Sequence, residues 1–174
     1  MIAKGNVLYD LKQYEESLAS YDKVLAVESH SYLALNNKGN VLYTLGRYSE
    51  SLEYFAKSLE VNDSDISWNN KGTALSKLGK YDEAIADFDK ALSLNPKMID
   101  ALSNKADLLY EQGKVEQAKS QYDKILELDP NHSLTLANKC KISYDSGDYE
   151  NTIDYCNKIL TMIEKEGSIS RIYP

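Results

Sequence analysis

The chain has 174 residues, a formal charge of −7 from 20 basic and 27 acidic side chains, and 43 % apolar residues. At roughly 150 residues per domain that length suits one domain, and a sequence pI near 4.9 argues against nucleic acid as a partner, which calls for a dense cationic face. No apolar run approaches the roughly 20 residues of a bilayer-crossing helix, and the Met1–Gly5 start lacks the apolar core of a signal peptide. Two cysteines make no disulfide framework, so a soluble, cytoplasmic chain held together by apolar burial is expected.

The sequence repeats itself. Gly5, Gly39, Gly72, Ala106 and Cys140 fall at intervals of 34, 33, 34 and 34 residues, four of them preceded by Asn-Lys and the first by Ala3-Lys4. Five repeats follow, approximately 1–31, 32–64, 65–98, 99–132 and 133–163, as a single domain over 1–163 with a tail over 164–174. Repeat one has its first helix around Gly5 and Leu8, a turn at Lys12, and a second helix from Tyr14 through Tyr21 to about Ser29. In repeat two, Leu33, Ala34, Leu35, Val41, Leu42 and Leu45 mark a helix stopped by Gly46, and Leu52, Phe55, Leu59 and Val61 mark the next. The residue missing from the short interval lies in the turn between Val61 and Trp68, where deletion is cheap. Repeat three runs from Trp68 to Gly79 and from Tyr81 to Pro96, repeat four turns at Gly113 and ends at Pro130, and repeat five turns at Gly147. A glycine just past a helix suits the left-handed conformation, so Lys12, in the equivalent place, predicts the least ideal of these turns. The pattern predicts ten helices, each antiparallel to its neighbours.

A helix-turn-helix repeat of this length, carrying Trp68, Gly72, Leu75, Gly79, Tyr81, Ala84, Phe88, Ala91 and Pro96, resembles the tetratricopeptide repeat over nearly the whole chain. Departures are modest: Ser17, Ser51 and Thr152 stand in the column of Ala84, and Val24, Ser58, Ile125 and Ile159 in that of Ala91. The resemblance implies an all-α fold, a right-handed α-solenoid of antiparallel helix pairs, with first helices lining a concave groove that binds a peptide or protein segment. Stacking is required on physical grounds too, since one amphipathic hairpin cannot bury its apolar face alone.

Columns then become rows. Tyr14, Tyr48, Tyr81 and Tyr149, and likewise Tyr21, Phe55, Phe88, Tyr122 and Cys156, are expected in the core. Tyr9, Tyr43, Tyr110 and Tyr144 sit beside the buried column of Leu8, Leu42, Leu75 and Leu109 and are assigned to the groove. Asparagine is an indifferent helix former, so its recurrence at Asn37, Asn70, Asn104 and Asn138 calls for a use. Each amide has an acceptor and a donor pair, and a ladder of them can hold a peptide backbone; such ladders occur in some members of the family, and the alternative is that these amides bond to neighbouring helices or water. Asn6, Asn40 and Asp107 extend the polar track, while Leu33, Ile66 and Leu134 offer apolar anchors. Anchors are needed, because ladder hydrogen bonds at ~0.5–1.5 kcal/mol each give only millimolar to high-micromolar affinity. Asp100, Asp107, Glu111 and Asp145 against Lys141 favour a neutral to weakly basic, partly apolar partner. The lysine columns, Lys4 to Lys139 and Lys23 to Lys158, read as aliphatic stems on a helix seam with solvated heads.

No catalytic or cofactor site emerges, and no metal site: His30 and His132 lie in separate turns, and Cys140 and Cys156 sit at core columns with no further zinc-type ligands nearby. The expected function is a non-enzymatic adaptor that binds a protein segment. The alternative is a scaffold that assembles with its own kind, suggested by the short first helix and by a tail after Ile163 in place of a capping helix; a segment of a longer array, or Ile169, Ile172 and Tyr173 folded over the last helix, would account for the same ends. One subtype is disfavoured: the places where co-chaperone members of the family grip a C-terminal carboxylate hold Asn36, Asn40, Asn70, Asp100 and Asn104, without a cation. An acidic C-terminal peptide of the chaperone type is therefore expected not to bind, and micromolar binding in calorimetry would overturn this.

Overall fold

The structure, a computed structural model, describes residues 1–170, with side chains described as far as Lys165. Among the described residues there are ten α-helices and no strand: α1 (Ile2–Asp10), α2 (Tyr14–Leu25), α3 (Tyr32–Thr44), α4 (Tyr48–Val61), α5 (Asp65–Lys77), α6 (Tyr81–Leu94), α7 (Ile99–Glu111), α8 (Val115–Leu128), α9 (Ser133–Asp145) and α10 (Tyr149–Ser170). The helices gather into two compact units, Met1–Ala101 and from Leu102 on. That division suits a chain in which each hairpin touches mainly its neighbours. In the N-terminal unit α1 to α6 pack in sequence, and α3 also touches both α1 and α5; in the C-terminal unit α8 packs on α9 and α9 on α10.

Two devices set the hairpin geometry. The tight turns use a left-handed residue: φ is +75° at Gly46, +74° at Gly79, +73° at Gly113 and +77° at Gly147, and Lys12 is forced to +60°. Within the first three hairpins, an aromatic ring of the second helix (Tyr21, Phe55, Phe88) lies on the backbone of the first. A Cβ placed on Gly39 would stand 2.6 Å from the Phe55 ring, which only glycine tolerates. The serines that replace small apolar residues are fully buried and satisfied: Ser17 Oγ donates to Gly5 O at 2.8 Å, Ser51 Oγ to Tyr48 O at 2.7 Å, and Ser58 Oγ to Tyr32 O at 3.0 Å.

Three expectations are corrected. Tyr81 and Tyr149, expected in the core, are 40 % and 63 % exposed. In the first lysine column Lys4 is exposed, but Lys38, Lys71 and Lys139 do not leave their heads in solvent. Lys38 is only 9 % exposed and pairs with Asp22, with its Nζ 4.4 Å from the centre of the Tyr54 ring. Lys71 pairs with Asp87 at 2.7 Å and faces Trp68, and Lys139 pairs with Asp123 and faces Tyr155. Burial opposes the charge on Lys38, but Asp22 and Tyr54 outweigh it and raise the pKa. The segment after Ile163, expected as a tail, begins as a continuation of α10 as far as Ser170, because nothing in Glu164-Lys165-Glu166 stops a helix. Ile172, Tyr173 and the side chain of Ile169 lie outside the described residues.

Left-handed backbone costs roughly 1–2 kcal/mol for a residue other than glycine, partly offset by the freedom glycine has when unfolded. Lys12→Gly should therefore stabilise the chain by about 0.5–1 kcal/mol and Gly79→Ala destabilise it by about 1 kcal/mol, read from urea-unfolding midpoints.

Candidate functional site

The inward columns of the first helices do come to line cavities, one in each compact unit. In the N-terminal unit a cavity of about 570 Å³ is bordered by Asn6, Asn37, Asn40 and Asn70 together with Tyr9 and Tyr43. It is also bordered by Asp10 and Thr44, which lie at inward positions of the first helices, and by Tyr21, which the sequence assigns to the core. In the C-terminal unit a smaller cavity of about 300 Å³ is bordered by Asp107, Tyr110, Leu134 and Asn138, joined by Glu111, Tyr122, Lys141 and Ile142.

The remaining candidates border neither cavity. Leu33 and Ile66 are 47 % and 54 % exposed near the starts of α3 and α5. Tyr144 is 64 % exposed and meets Tyr149 edge-on at 6.2 Å. Asn104, on α7, already has an interaction partner.

The amides are not idle. Tyr21 Oη donates to Asn6 Oδ1 at 2.6 Å, and Asn37 Nδ2, from the next hairpin, donates to the same oxygen at 3.0 Å. The C-terminal unit repeats this: Tyr122 Oη donates to Asp107 Oδ1 at 2.6 Å, and Asn138 Nδ2 donates to that oxygen at 3.1 Å and to Tyr122 Oη at 3.2 Å. Asn70 Nδ2 instead donates to Asn36 Oδ1 at 3.2 Å, which also accepts from Ser67 Oγ at 3.2 Å. Each of these ladder amides thus spends an N–H on the preceding hairpin, the alternative left open by the sequence. The Oδ1 atoms of Asn37, Asn70 and Asn138 accept nothing among the described residues.

The tyrosines are held as well. Thr44 Oγ1 donates to Asn40 O at 3.0 Å, which leaves Tyr9 Oη to donate to Thr44 Oγ1 at 2.9 Å. Tyr9 and Tyr43 pack tilted against Tyr14 and Tyr48, with ring centres 5.6 and 5.2 Å apart. Burial raises the pKa of both Tyr21 and Tyr43. Tyr122 is raised strongly, by burial first and then by its bond to the Asp107 carboxylate. The signal for Tyr21 and Tyr122 was present in the sequence: their column holds phenylalanine at Phe55 and Phe88, so a hydroxyl there needs a partner.

Cys140 and Cys156 are free thiols on α9 and α10. Cys140 Sγ donates to Thr152 O at 3.7 Å, and its interaction with Cys156, followed by burial, pushes its pKa up to about 11. That is the reverse of an activated thiolate. His132 caps α9 by accepting from Thr135 N, and no group of metal-holding side chains is found among the described residues. Nor is any helix among them long and apolar enough to cross a membrane.

An unfolded tyrosine ionises near pH 10, whereas folded Tyr122 holds its proton to higher pH, so its contribution to stability is complete below about pH 10 and is lost as pH rises beyond it. Tyr122→Phe should cost about 1–2 kcal/mol at pH 7, and the difference from the parent chain should narrow by pH 11, measured by urea unfolding at both values.

Models of the tetratricopeptide repeat match residues 2–66, 66–98 and 99–132. No curated protein matches the sequence significantly. Among solved structures, a MamA from Desulfovibrio magneticus RS-1 superposes with a TM-score of 0.82 at 17 % identity, covering 94 % of this chain and 93 % of that one. YrrB, described as a TPR protein with an unusual peptide-binding site, gives 0.71 at 26 % identity over 92 % of this chain and 83 % of its own. The pilF protein of Pseudomonas aeruginosa gives 0.79 at 22 % identity over 92 % and 74 %. Tetratricopeptide repeats are generally non-catalytic modules that mediate protein–protein interaction. With ten helices in paired order, the recurring glycine and aromatic columns, and matching models along most of its length, this chain belongs to the tetratricopeptide repeat family.

Proposed function

We propose that the chain is an adaptor without catalytic activity that binds an extended or helical protein segment along the inner faces of its first helices. The observation that carries this reading is the pair of cavities lined by the asparagine and tyrosine columns: side chains that recur once per hairpin meet at open polar spaces instead of being consumed in the core. Amide carbonyls at Asn37, Asn70 and Asn138 suit the N–H groups of a peptide backbone. Exposed Leu33, Ile66 and Leu134 supply the apolar contact that hydrogen bonds alone lack.

A second reading, assembly with further copies of the chain, is favoured by α10. Tyr149, Ile153, Leu160 and Ile163 are 55–63 % exposed at helical spacing, an apolar row of the kind that packs on another helix. Sedimentation at rising concentration separates the two, since a segment receptor stays monomeric and a self-assembling scaffold grows.

The receptor reading is tested by selecting binding segments from a random peptide display library on the full chain. Asn70→Ala combined with Asn104→Ala should weaken a selected segment at least about tenfold, the scale of one or two lost hydrogen bonds, with the helical circular dichroism unchanged. Unchanged affinity in a folded double variant would dispose of the ladder.

A further inference from the structure

The two cavities share one bonding plan and differ in the residue that accepts, and in Lys141, which stands where the N-terminal cavity has Asn40. In each, a tyrosine of the second helix and an asparagine of the next hairpin donate to a single oxygen: Asn6 Oδ1 in the N-terminal unit, Asp107 Oδ1 in the C-terminal unit. Once that oxygen is spent, the two residues offer a ligand opposite things. Asn6 has its amide N–H pair left, a neutral donor. Asp107 has Oδ2 left, a carboxylate oxygen that accepts nothing among the described residues.

The surroundings of Asp107 add to this polarity. Glu111 also borders the cavity, and Tyr110 Oη donates to Asp145 Oδ2 at 3.2 Å, which places a further carboxylate beside it. Among the described residues Lys141 is the one cation on the wall, and its Nζ lies 5.2 Å from the centre of the Tyr110 ring. The ring face is thus already used to hold a positive charge, and two lining carboxylates stand against one ammonium; since the N-terminal cavity is bordered by Asp10, the two are told apart by the carboxylate in the place of Asn6 and not by net charge. Leu134 and Ile142 provide apolar wall for an aliphatic stem.

We propose that the cavity of the C-terminal unit receives an arginine side chain of the bound segment, and that Asp107 sets this preference, where Asn6 sets a preference for a neutral acceptor in the equivalent cavity. A guanidinium suits this site because its planar face stacks on a ring while its edge meets a carboxylate. An incoming arginine displaces Lys141 from Tyr110. The proposal rests on the reading of the first-helix faces as a segment-binding surface.

The test is a nuclear magnetic resonance titration of the full chain with N-acetyl-argininamide and with the corresponding citrulline compound, which is near-isosteric and neutral. Shifts of the Asn138 side-chain amide and the Ile142 methyl groups are followed. The arginine compound should bind about three- to tenfold more tightly than citrulline, the range expected of one partly screened ion pair with ring contact. Asp107→Asn keeps an Oδ1 acceptor for Tyr122 and Asn138, as Asn6 does naturally for Tyr21 and Asn37, and should abolish the preference. Lys141→Gln removes the resident competitor and should tighten arginine binding, and Asn6→Asp should create a preference for arginine over citrulline, read on the side-chain amides of Asn37 and Asn40. Equal shifts from the two compounds overturn the arginine preference while leaving segment binding intact. Absence of shifts from either also overturns it, and segment binding then answers to the peptide selection alone. An arginine preference that survives Asp107→Asn overturns the assignment to Asp107.

Discussion

The contact on which the rest depends is an aromatic ring lying against a first-helix backbone that carries no Cβ. Gly5 and Gly39 would each place a Cβ 2.6 Å from the ring of Tyr21 or Phe55, so the two helices of these hairpins stand closer than any other residue permits. That closeness decides where the far end of the ring emerges. Where the ring is tyrosine, its hydroxyl reaches the inner face and lands on Asn6, and the amide of the following hairpin comes to the same atom. Packing within a hairpin and polar bonding between hairpins are therefore one arrangement, closest where glycine carries no Cβ and repeated in the fourth hairpin, where Ala106 takes the glycine's place and Tyr122 meets Asp107 and Asn138 in the same way.

On another seam, lysines perform the same stitching. Lys38 joins Asp22 of the preceding hairpin and Lys139 joins Asp123, each with an aromatic ring of its own hairpin beneath the ammonium. Such partly buried pairs add little net stability, since desolvation consumes much of the attraction. What they supply is register: a lysine stem that must pass a ring and end at one carboxylate allows few relative positions of successive helices.

Much of the fold was legible because it is written in period and stops. The glycine turns fall at Gly46, Gly79, Gly113 and Gly147 with left-handed backbone, and Lys12 adopts the same conformation against its preference, as the spacing predicted. The shortened interval shows as a turn of three residues, 62–64, where 95–98 and 129–132 separate the equivalent later helices. For the site, the columns gave membership and not bonding. Asn37 and Asn138 were legible as inward residues because helical geometry fixes direction, but their donors are spent on Asn6 and Asp107, and that depends on the rise from one hairpin to the next, which no single repeat encodes. The lysine heads were misjudged for the same reason: Asp22 stands next to Lys23 in sequence, yet its partner is Lys38 across the seam.

Spent donors do not make a poorer receptor. An asparagine side chain free in solvent must be fixed when a ligand arrives, at a cost of about 0.5–1.5 kcal/mol for an immobilised side chain, comparable with the hydrogen bond it forms. Asn37 and Asn138, pinned through one N–H to a neighbouring oxygen, have already met that cost during folding. Their carbonyls are then presented in a fixed direction, backed by a phenol whose own proton is committed to the same acceptor. In a ladder of the kind expected from the sequence each amide would both donate to and accept from the segment, whereas here donation is internal, and only acceptance is left for the proposed segment. Under the proposed function a segment on this surface would be chosen by its N–H groups and its cations, with a residue that is amide in one cavity and carboxylate in the other separating the two.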